Sequence, residues 1–369
     1  MKFEHLEYDD CMMDVSIFSP ADGKKELHAI LHPKAELSFE QQYMAVRKAL
    51  SEYILQNTGF VPVFMRWFLS DSANQQKIVE GNDYPCAGSI IEQPPLDGSK
   101  LALWVWMAED ASVRKEEGGM WTADFGGARH IWTTKECRAE GTSEQQMSDM
   151  FMSYSQRLAS RGCTLKDNCI RTWIFVNNID INYAGVVKGR RELFEQQGLT
   201  SKTHYISSTG IAGRSDEPAA SVIMDTYALQ DISESQVHFL KGQTHLNPTH
   251  EYGVTFERGT AVDHPDRRHV FISGTASIDN KGEIVHKGDI TGQTLRMIEN
   301  VGVLLEEAGC TFDNVMHLIV YLRDIADCSI VRKMIQERFP QHPKVFLWAP
   351  VCRPGWLVEM ECMAFRDKA

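Results

Sequence analysis

Long apolar runs, paired cysteines and an export signal are all missing from this sequence. The longest apolar stretches, such as LALWVWMA at 101–108, are far shorter than the roughly 20 residues that cross a membrane. The nine cysteines form no CxxC pair, so we expect thiols in a reducing compartment, without a disulfide framework or a metal site. The segment MKFEHLEYDDC has no basic stretch followed by an apolar core, so we expect a cytoplasmic protein.

Excess positive charge is also missing. The chain has 38 Lys and Arg against 50 Asp and Glu, a net charge of −12, and its basic residues form no cluster. Nucleic acid and membranes are therefore not expected partners. A small anionic substrate is compatible with this composition if a few local arginines meet its charge against the unfavourable overall field.

The most informative feature of the sequence is a segment that occurs twice. The segment GCTLKDNCIRTWIFVNNI at 162–179 returns in outline as GCTFDNVMHLIVYLRDI at 309–325. Around each copy the pattern predicts strands, a helix, an apolar strand, a second helix and closing strands. A fainter copy precedes them. Its opening strands are weak or missing, and its first helix begins at a Ser-x-x-Gln capping box formed by Ser38 and Gln41.

The repeats predict three α+β units in tandem. We place them at residues 1–125, 126–245 and 246–369. Each unit is expected to form a mixed β-sheet with helices on one face. Three such units on one chain predict a single-chain pseudo-trimer that is monomeric or a weak homo-oligomer.

The third unit resembles the RidA/YjgF family over its whole length. The matching segments are ISGTASID, GEIVHKGDITGQTLRMIENVGVLLEEAG, VMHLIVYLRDI and VEMECMA. This resemblance implies the family's chorismate-mutase-like α+β fold and trimers with active sites in the clefts between units. The family's arginine ahead of the closing acids is replaced by Lys344, and its Gln after Ser-Gly by Thr275. These departures argue against simple imine deamination.

Most of the chain is also similar to the chorismatases, which are longer relatives of RidA. The similar segments, between 62 and 362, are PVFMRWFLSDSANQ, IRTWIFVNNIDINYAGVVKGRRELF, YISSTGIAG, ASVIMDTYAL, EYGVTFERG and CRPGWLVEMEC. This resemblance implies cofactor-independent hydrolysis of the enolpyruvyl ether of chorismate, or of a close analogue. The products would be pyruvate and a hydroxybenzoate or dihydroxycyclohexadiene acid. A RidA-type enamine or imine deaminase and a non-catalytic binder of small acids are the alternatives.

Two acids in the closing strand are the candidates for catalysis. Protonating the carbon of a vinyl ether suits a carboxylic acid whose pKa is raised in a dry pocket, and it needs no metal. Glu359 and Glu361 point to the same face of an otherwise apolar strand. In the repeat alignment Ile223 lies opposite Glu359, whereas Asp225 lies opposite Glu361, so only the second acid recurs. We therefore predict Glu359 as the general acid, with Glu361 as the substitute.

A dicarboxylate substrate also needs cationic and hydroxyl groups to orient it. Arg171 interrupts a strand that is otherwise apolar, so it needs either a ligand or a structural salt bridge, which we weigh equally. Arg353 precedes the acid-bearing strand, and Cys352 beside it is expected to line the pocket without acting as a nucleophile. The resemblance adds further candidate binding residues: Tyr205, Ser208, Thr209, Gly210, Tyr252, Arg258 and Gly274.

The position of the site follows from the trimer that the resemblance implies. The second unit would supply Arg171 and the hydroxyl-rich turn, and the third unit would supply Glu359 and Arg353. The other clefts lack a matching acid, so we expect one competent site per chain.

Overall fold

Each third of the chain forms one six-stranded mixed β-sheet. The computed structural model describes residues 1–81 and 84–368. Within each sheet one pair of neighbouring strands is parallel and the other pairs are antiparallel. The tandem α+β architecture predicted from the sequence is therefore confirmed.

The first unit contains two helices and six strands, one of which is an edge strand that the sequence pattern does not predict. Its elements are β1 (Lys2–Tyr8), β2 (Cys11–Phe18), β3 (Glu26–Pro33), α1 (Phe39–Gln56), β4 (Phe60–Leu69), α2 (Ser72–Glu80), β5 (Ala87–Glu92) and β6 (Leu101–Glu109). The strand order is β1-β2-β3-β6-β4-β5. The opening strands, expected to be weak or missing, are present. β1 escaped the pattern because it is an edge strand that is rich in charge and has no buried residue.

The predicted capping box forms at the start of α1. The hydroxyl of Ser38 accepts a hydrogen bond from the backbone N–H of Gln41, and the side chain of Gln41 accepts one from the backbone N–H of Ser38. This reciprocal pair satisfies two donors that the helix itself leaves unpaired.

The second unit repeats this order with one additional short helix. Its elements are β7 (Ser112–Lys115), β8 (Met120–Phe125), β9 (Ala128–Cys137), α3 (Ser143–Ala159), α4 (Leu165–Asn168), β10 (Cys169–Val176), α5 (Ile179–Gln196), β11 (Ser207–Ala212) and β12 (Val222–Gln230). The strand order is β11-β10-β12-β9-β8-β7.

The third unit closes the chain with the same topology. Its elements are β13 (Val237–Leu240), β14 (Gly259–Asp263), β15 (Arg267–Ala276), α6 (Ile290–Glu307), β16 (Val315–Leu322), α7 (Cys328–Arg338), β17 (Lys344–Trp348) and β18 (Val358–Asp367). The strand order is β13-β14-β15-β18-β16-β17. Short 3-10 turns lie at 117–119, 234–236, 249–252, 312–314 and 325–327.

Strand pairing places the unit boundaries elsewhere than at 125/126 and 245/246, where we placed them from the sequence. β7 and β8 lie before residue 126 but pair into the sheet of β9, and β13 lies before residue 246 but pairs with β14. Both boundaries therefore move toward the amino terminus. We propose that the segments 110–111 and 231–236 connect the units.

Alternate residues of β6 divide between two cores. Leu103 and Val105 pack in the core that α1 covers, whereas Trp104 and Trp106 point into a core shared by all three units. This alternation follows from the two-residue period of a strand. The inner faces of the sheets thus meet in one core, as expected for a single-chain pseudo-trimer. None of the helices in residues 1–81 and 84–368 is long and apolar enough to span a membrane.

Strands of neighbouring units contact one another at three places, and the first two of these contacts join equivalent strands. β5 lies beside β9, β11 beside β15, and β16 beside β3. These contacts create three clefts, which we call the 1–2, 2–3 and 3–1 clefts after the units that form them.

Candidate functional site

A small cavity of about 30 Å³ lies in the 2–3 cleft. Its walls come from α5 and β11 of the second unit and from β15, β18 and two loops of the third. The lining residues are Tyr183, Arg190, Ser208, Gly210, Tyr252, Val254, Phe256, Arg258, Gly274, Ala276, Ile278, Cys352, Arg353, Trp356 and Glu359.

Glu359 brings a buried carboxyl group to this cavity. The residue is 5% exposed, and within the described chain its carboxyl group has no hydrogen-bond or ion-pair partner. Burial and, second, the charge of Glu361 raise the pKa of Glu359 to about 8. A Cβ atom at Gly274 would collide with this carboxyl group, so the absence of a side chain there makes room for it. Glu359 is thus mostly protonated at neutral pH.

Glu361 lies two residues farther along β18 in a different environment. Its carboxylate accepts hydrogen bonds from Arg171 Nη2 at 2.7 Å, from Trp173 Nε1 at 2.9 Å and from the hydroxyl of Thr209. The Nη1 atom of Arg66 lies 4.0 Å away. Arg171 and Glu361 therefore form a buried ion pair, the salt-bridge alternative for Arg171, and neither lines the cavity.

Two buried arginines line the cavity without a carboxylate partner in the part of the chain that the structure describes. Arg190 donates to Oγ1 of Thr255 at 3.1 Å and to Oγ of Ser208 at 3.4 Å. Arg258 donates to the backbone oxygen and to Oδ1 of Asn247, both at 3.1 Å. Because a buried guanidinium is stable only with a counter-charge or several hydrogen bonds, this pair suits an anionic ligand.

Arg353 and Tyr252 join two loops over the cavity. The Nη2 atom of Arg353 donates to the backbone oxygen of Tyr252 at 3.0 Å, and its guanidinium lies 4.8 Å from the centre of that ring. Arg258 lies 5.3 Å from the same ring. The cavity volume of about 30 Å³ is far below the roughly 300–1,000 Å³ typical of small-molecule sites. A ligand with a ring therefore enters only if these loops separate.

Cys352 contributes a thiol to the wall. Burial and, second, the charge of Glu359 raise its pKa to about 12. A thiol with this pKa is a poor nucleophile at neutral pH. Its environment fits the lining position that the sequence suggested.

Most of the predicted site residues meet at this cavity: Ser208, Gly210, Tyr252, Arg258, Gly274, Cys352, Arg353 and Glu359. Arg171, Thr209 and Glu361 lie together behind the wall. Strand alternation explains this for β11, where Ser208 and Gly210 share one face and Thr209 occupies the other. Tyr205 precedes β11 and lines a separate cavity of about 130 Å³ beside Glu257.

Tyr183 and Arg190 are cavity residues that the sequence reasoning did not select. Both lie on α5, where the buried positions include Val186 and Leu193. The spacing 183, 186, 190, 193 marks one helical face, so the buried side of Arg190 was recognisable from periodicity. Arg191, the next residue, is partly exposed.

The strand registers support the alignment of the two acid positions. Glu359 pairs with Tyr321, next to the last residue of β16, and Ile223 pairs with Phe175, next to the last residue of β10. In the first unit Ala102 pairs with Phe68, again next to the strand end. The equivalents of Glu359 in the second and first units are therefore apolar. Among the described residues, no three His, Cys, Asp or Glu side chains are grouped as metal ligands.

Comparison with known proteins places the third unit in a recognised group. Residues 259–366 match the family model described as Endoribonuclease L-PSP. A RutC family protein of Pyrococcus abyssi is 38% identical over 101 residues, which cover 27% of this chain and 79% of that protein. The 3-aminoacrylate deaminase RutC of Acinetobacter baylyi is 28% identical over 97 residues, which cover 26% of this chain and 77% of that protein.

A crystal structure of a chorismatase resembles the chain as a whole. It superposes with a TM-score of 0.66 and 19% sequence identity, and the match covers 82% of this chain and 92% of the chorismatase chain. The two proteins therefore share a fold. This agrees with both resemblances found in the sequence, to RidA/YjgF in the third unit and to chorismatases over most of the chain.

Proposed function

Because the chain belongs to the RutC family through its third unit and has the fold of a chorismatase, we propose that it is a cofactor-independent hydrolase of the chorismatase type. Its substrate is chorismate or a close enolpyruvyl ether. The observation that carries this proposal is Glu359, a buried carboxyl group with a pKa of about 8 and no partner among the described residues, in a cavity that three arginines line.

Glu359 is the proton donor in the proposed reaction. Its carboxyl group protonates the terminal methylene carbon of the enol ether, which leaves an oxocarbenium-like cation. A water molecule adds to that cation and returns a proton to the Glu359 carboxylate. The resulting hemiketal breaks its carbon–oxygen bond to release pyruvate and a ring hydroxyl, so the net reaction consumes one water molecule.

The arginines bind the carboxylates of the substrate. Arg190 and Arg258 are held by neutral hydrogen-bond acceptors, so each keeps its full charge available to a ligand. Arg353 adds a third guanidinium from the loop that closes the cavity. Charge-assisted hydrogen bonds of this kind are strong and directional, and they would hold the enol ether against Glu359.

Substrate entry in this proposal requires the two loops over the cavity to open. The contact between Arg353 and Tyr252 is made through one backbone hydrogen bond and one cation–π contact. A substrate carboxylate that takes over the guanidinium of Arg353 would release Tyr252 and widen the cavity.

A RidA-type deaminase is the second candidate. It is favoured by the similarity of the third unit to a 3-aminoacrylate deaminase, since an enamine is also activated by a proton on carbon. Against it, Lys344, which replaces the family's arginine, lies in the 3–1 cleft and not beside Glu359.

Incubation with chorismate separates the candidates. We expect pyruvate, measured with lactate dehydrogenase and NADH, in proportion to the amount of purified protein. Ammonia from a freshly generated enamine without pyruvate from chorismate would favour the deaminase. If neither product forms but chorismate raises the melting temperature, the protein is a binder of small acids and the hydrolase proposal is wrong.

A further inference from the structure

The first two strands of each unit are joined by connections of unequal length. Residues 9–10 join β1 to β2 in the first unit, and residues 116–119 join β7 to β8 in the second. In the third unit the connection between β13 and β14 extends over residues 241–258. The sheet itself needs only a short turn at this place, since two of the three units make one. A long connection in a compact unit usually has a functional role.

Hydrogen bonds close this long connection into a compact loop. The hydroxyl of Thr249 donates to the backbone oxygen of Phe256 at 2.5 Å, and Arg258 donates to the backbone oxygen of Asn247 at 3.1 Å. A surface loop whose ends are held together in this way can move as one body. We call the enclosed segment, residues 249–256, the lid.

The lid lies over the 2–3 cavity. Three of its side chains line that cavity: Tyr252, Val254 and Phe256. With the lid in place the cavity measures only about 30 Å³, against roughly 300–1,000 Å³ for typical small-molecule sites. The structure therefore contains a closed lid, which leaves no room for a ligand that has a ring.

Two of the arginines that line the cavity also hold the lid. Arg353 donates to the backbone oxygen of Tyr252 at 3.0 Å, and Arg190 donates to Oγ1 of Thr255 at 3.1 Å. Both guanidinium groups face the cavity. A dicarboxylate ligand would compete with the lid for both of them, because a carboxylate is a stronger acceptor than a neutral oxygen.

Arg191 holds the lid from outside the cavity. It lies on α5 beside Arg190, is partly exposed and does not line the cavity. Its guanidinium donates to the backbone oxygen of Gly253 in the lid. Gly253 has a φ of 89°, a conformation that glycine adopts without strain, and the chain turns there. A ligand inside the cavity does not compete for Arg191, so this contact must break for another reason when the lid opens.

We infer that Arg191 latches the lid in a closed state that keeps ligands out of the 2–3 cavity. The contact is autoinhibitory, since it stabilises the form that a ligand cannot enter. The apparent affinity for such a ligand is reduced in proportion to the fraction of protein whose lid is open. Loss of the latch should therefore strengthen binding, even though it removes a cation from the neighbourhood of an anionic ligand.

Alkylation of Cys352 measures lid opening without any substrate. Its thiol lines the cavity beneath the lid, whereas Cys137, at the end of β9, does not and is the internal control. The full chain is treated with N-ethylmaleimide, and both sites are followed by peptide mass spectrometry. We expect Arg191→Gln to accelerate modification of Cys352 about tenfold, equivalent to about 1.4 kcal/mol, with no change at Cys137.

Lys188→Gln is the matched control variant. Lys188 is a cation on the same helix, and it pairs with Glu144 at 2.8 Å and with Glu192 at 3.9 Å. Its loss should leave the modification rate of Cys352 unchanged. Arg191→Lys keeps a charged donor and should give a rate between those of Arg191→Gln and the unsubstituted protein. Circular dichroism and melting temperature check that each variant is folded.

The effect of the latch on turnover rests on the function proposed above. In Arg191→Gln we expect the KM for chorismate to fall roughly threefold to tenfold while kcat changes little, because the latch acts before the substrate is bound. If the unsubstituted protein forms no pyruvate, the proposed function fails, and the alkylation of Cys352 decides on the lid alone. The inference is overturned if Arg191→Gln does not accelerate that alkylation, if Lys188→Gln accelerates it equally, or if the KM of an active Arg191→Gln variant rises.

Discussion

The 1–2 and 2–3 clefts each contain a buried arginine–carboxylate pair between units, yet they differ in what lies next to it. In the 1–2 cleft, Arg66 contacts Asp225 at 2.9 Å, and in the 2–3 cleft Arg171 contacts Glu361 at 2.7 Å. A hydroxyl group from the neighbouring parallel strand, of Ser89 or Thr209, completes each pair.

Two residues before the carboxylate of each pair, the clefts diverge. The 1–2 cleft has Ile223, whereas the 2–3 cleft has Glu359, and only the glutamate opens onto the cavity described above. The ion pair recurs and therefore belongs to the scaffold that joins the units. The acid at position 359 does not recur, so it is not needed to join the units and is available for a chemical role.

The largest expected effect comes from Glu359→Gln. We expect pyruvate formation from chorismate to fall by roughly 10²–10⁴, because the variant loses the proton donor but keeps the shape of the side chain. The melting temperature should not fall, because the variant also removes the carboxylate charge that burial penalises. Pyruvate release is measured with the coupled lactate dehydrogenase assay. Full activity in this variant would show that Glu359 is not the acid.

Breaking either ion pair should destabilise the fold by about 3–5 kcal/mol, because it leaves a buried guanidinium without its counter-charge. We expect Asp225→Asn and Glu361→Gln to lose similar amounts in urea unfolding, although one lies in each cleft. Glu359→Gln is the control and should lose no stability, since its carboxyl group has no hydrogen-bond or ion-pair partner among the described residues. A large loss for Glu361→Gln with none for Asp225→Asn would contradict the shared scaffold role.

Gly274→Ala should cost about 1–3 kcal/mol of stability, because its Cβ atom would press against the carboxyl group of Glu359 and the methyl group of Thr209. Activity should fall as well, since Glu359 must move. Gly302→Ala on α6 is a matched control, because its nearest neighbour is a ring atom of Phe312 at 3.4 Å. Equal unfolding free energies for the two variants would rule out the steric role of Gly274.

The pKa of Glu359 predicts a difference in stability that depends on pH. Its folded-state pKa of about 8 is above the ordinary value of 4.5, so between these pH values the folded protein holds a proton that the unfolded chain has lost. Stability should therefore be highest below pH 4.5 for this group and fall as pH rises toward 8, by at most about 1.4 kcal/mol per pH unit. Turnover should fall above pH 8 as the acid form is lost. Urea unfolding of the protein and of Glu359→Gln across this range isolates the effect, and parallel curves would contradict it.

The internal repeats made much of the fold predictable from the sequence, but they did not reveal every strand. The apolar strands β10 and β16 are covered on both sides, so their pattern is continuous and both copies stand out. β1 is a polar edge strand that contributes little to a core, and hydrophobic pattern alone could not find it.

A site residue was predictable where its type suited the proposed chemistry and its position differed between the repeats. Glu359 was selected because its repeat has an isoleucine, and the structure brings it to the cavity. Arg171 was harder to interpret, since an arginine in an apolar strand fits a ligand and an ion pair equally well until the distance to Glu361 is known. Lys344 appeared only as a departure from a family pattern, because its place in the 3–1 cleft depends on how the third unit meets the first.

The joining of three units on one chain also has a consequence for evolution. In a trimer of identical chains every substitution appears in all three clefts, so an unpaired buried acid would destabilise the assembly three times. Here Glu359 occurs in one unit, opposite Ile223 and Ala102 in the others. Covalent linkage lets each cleft change independently, so one can tolerate a strained acid while the others remain apolar.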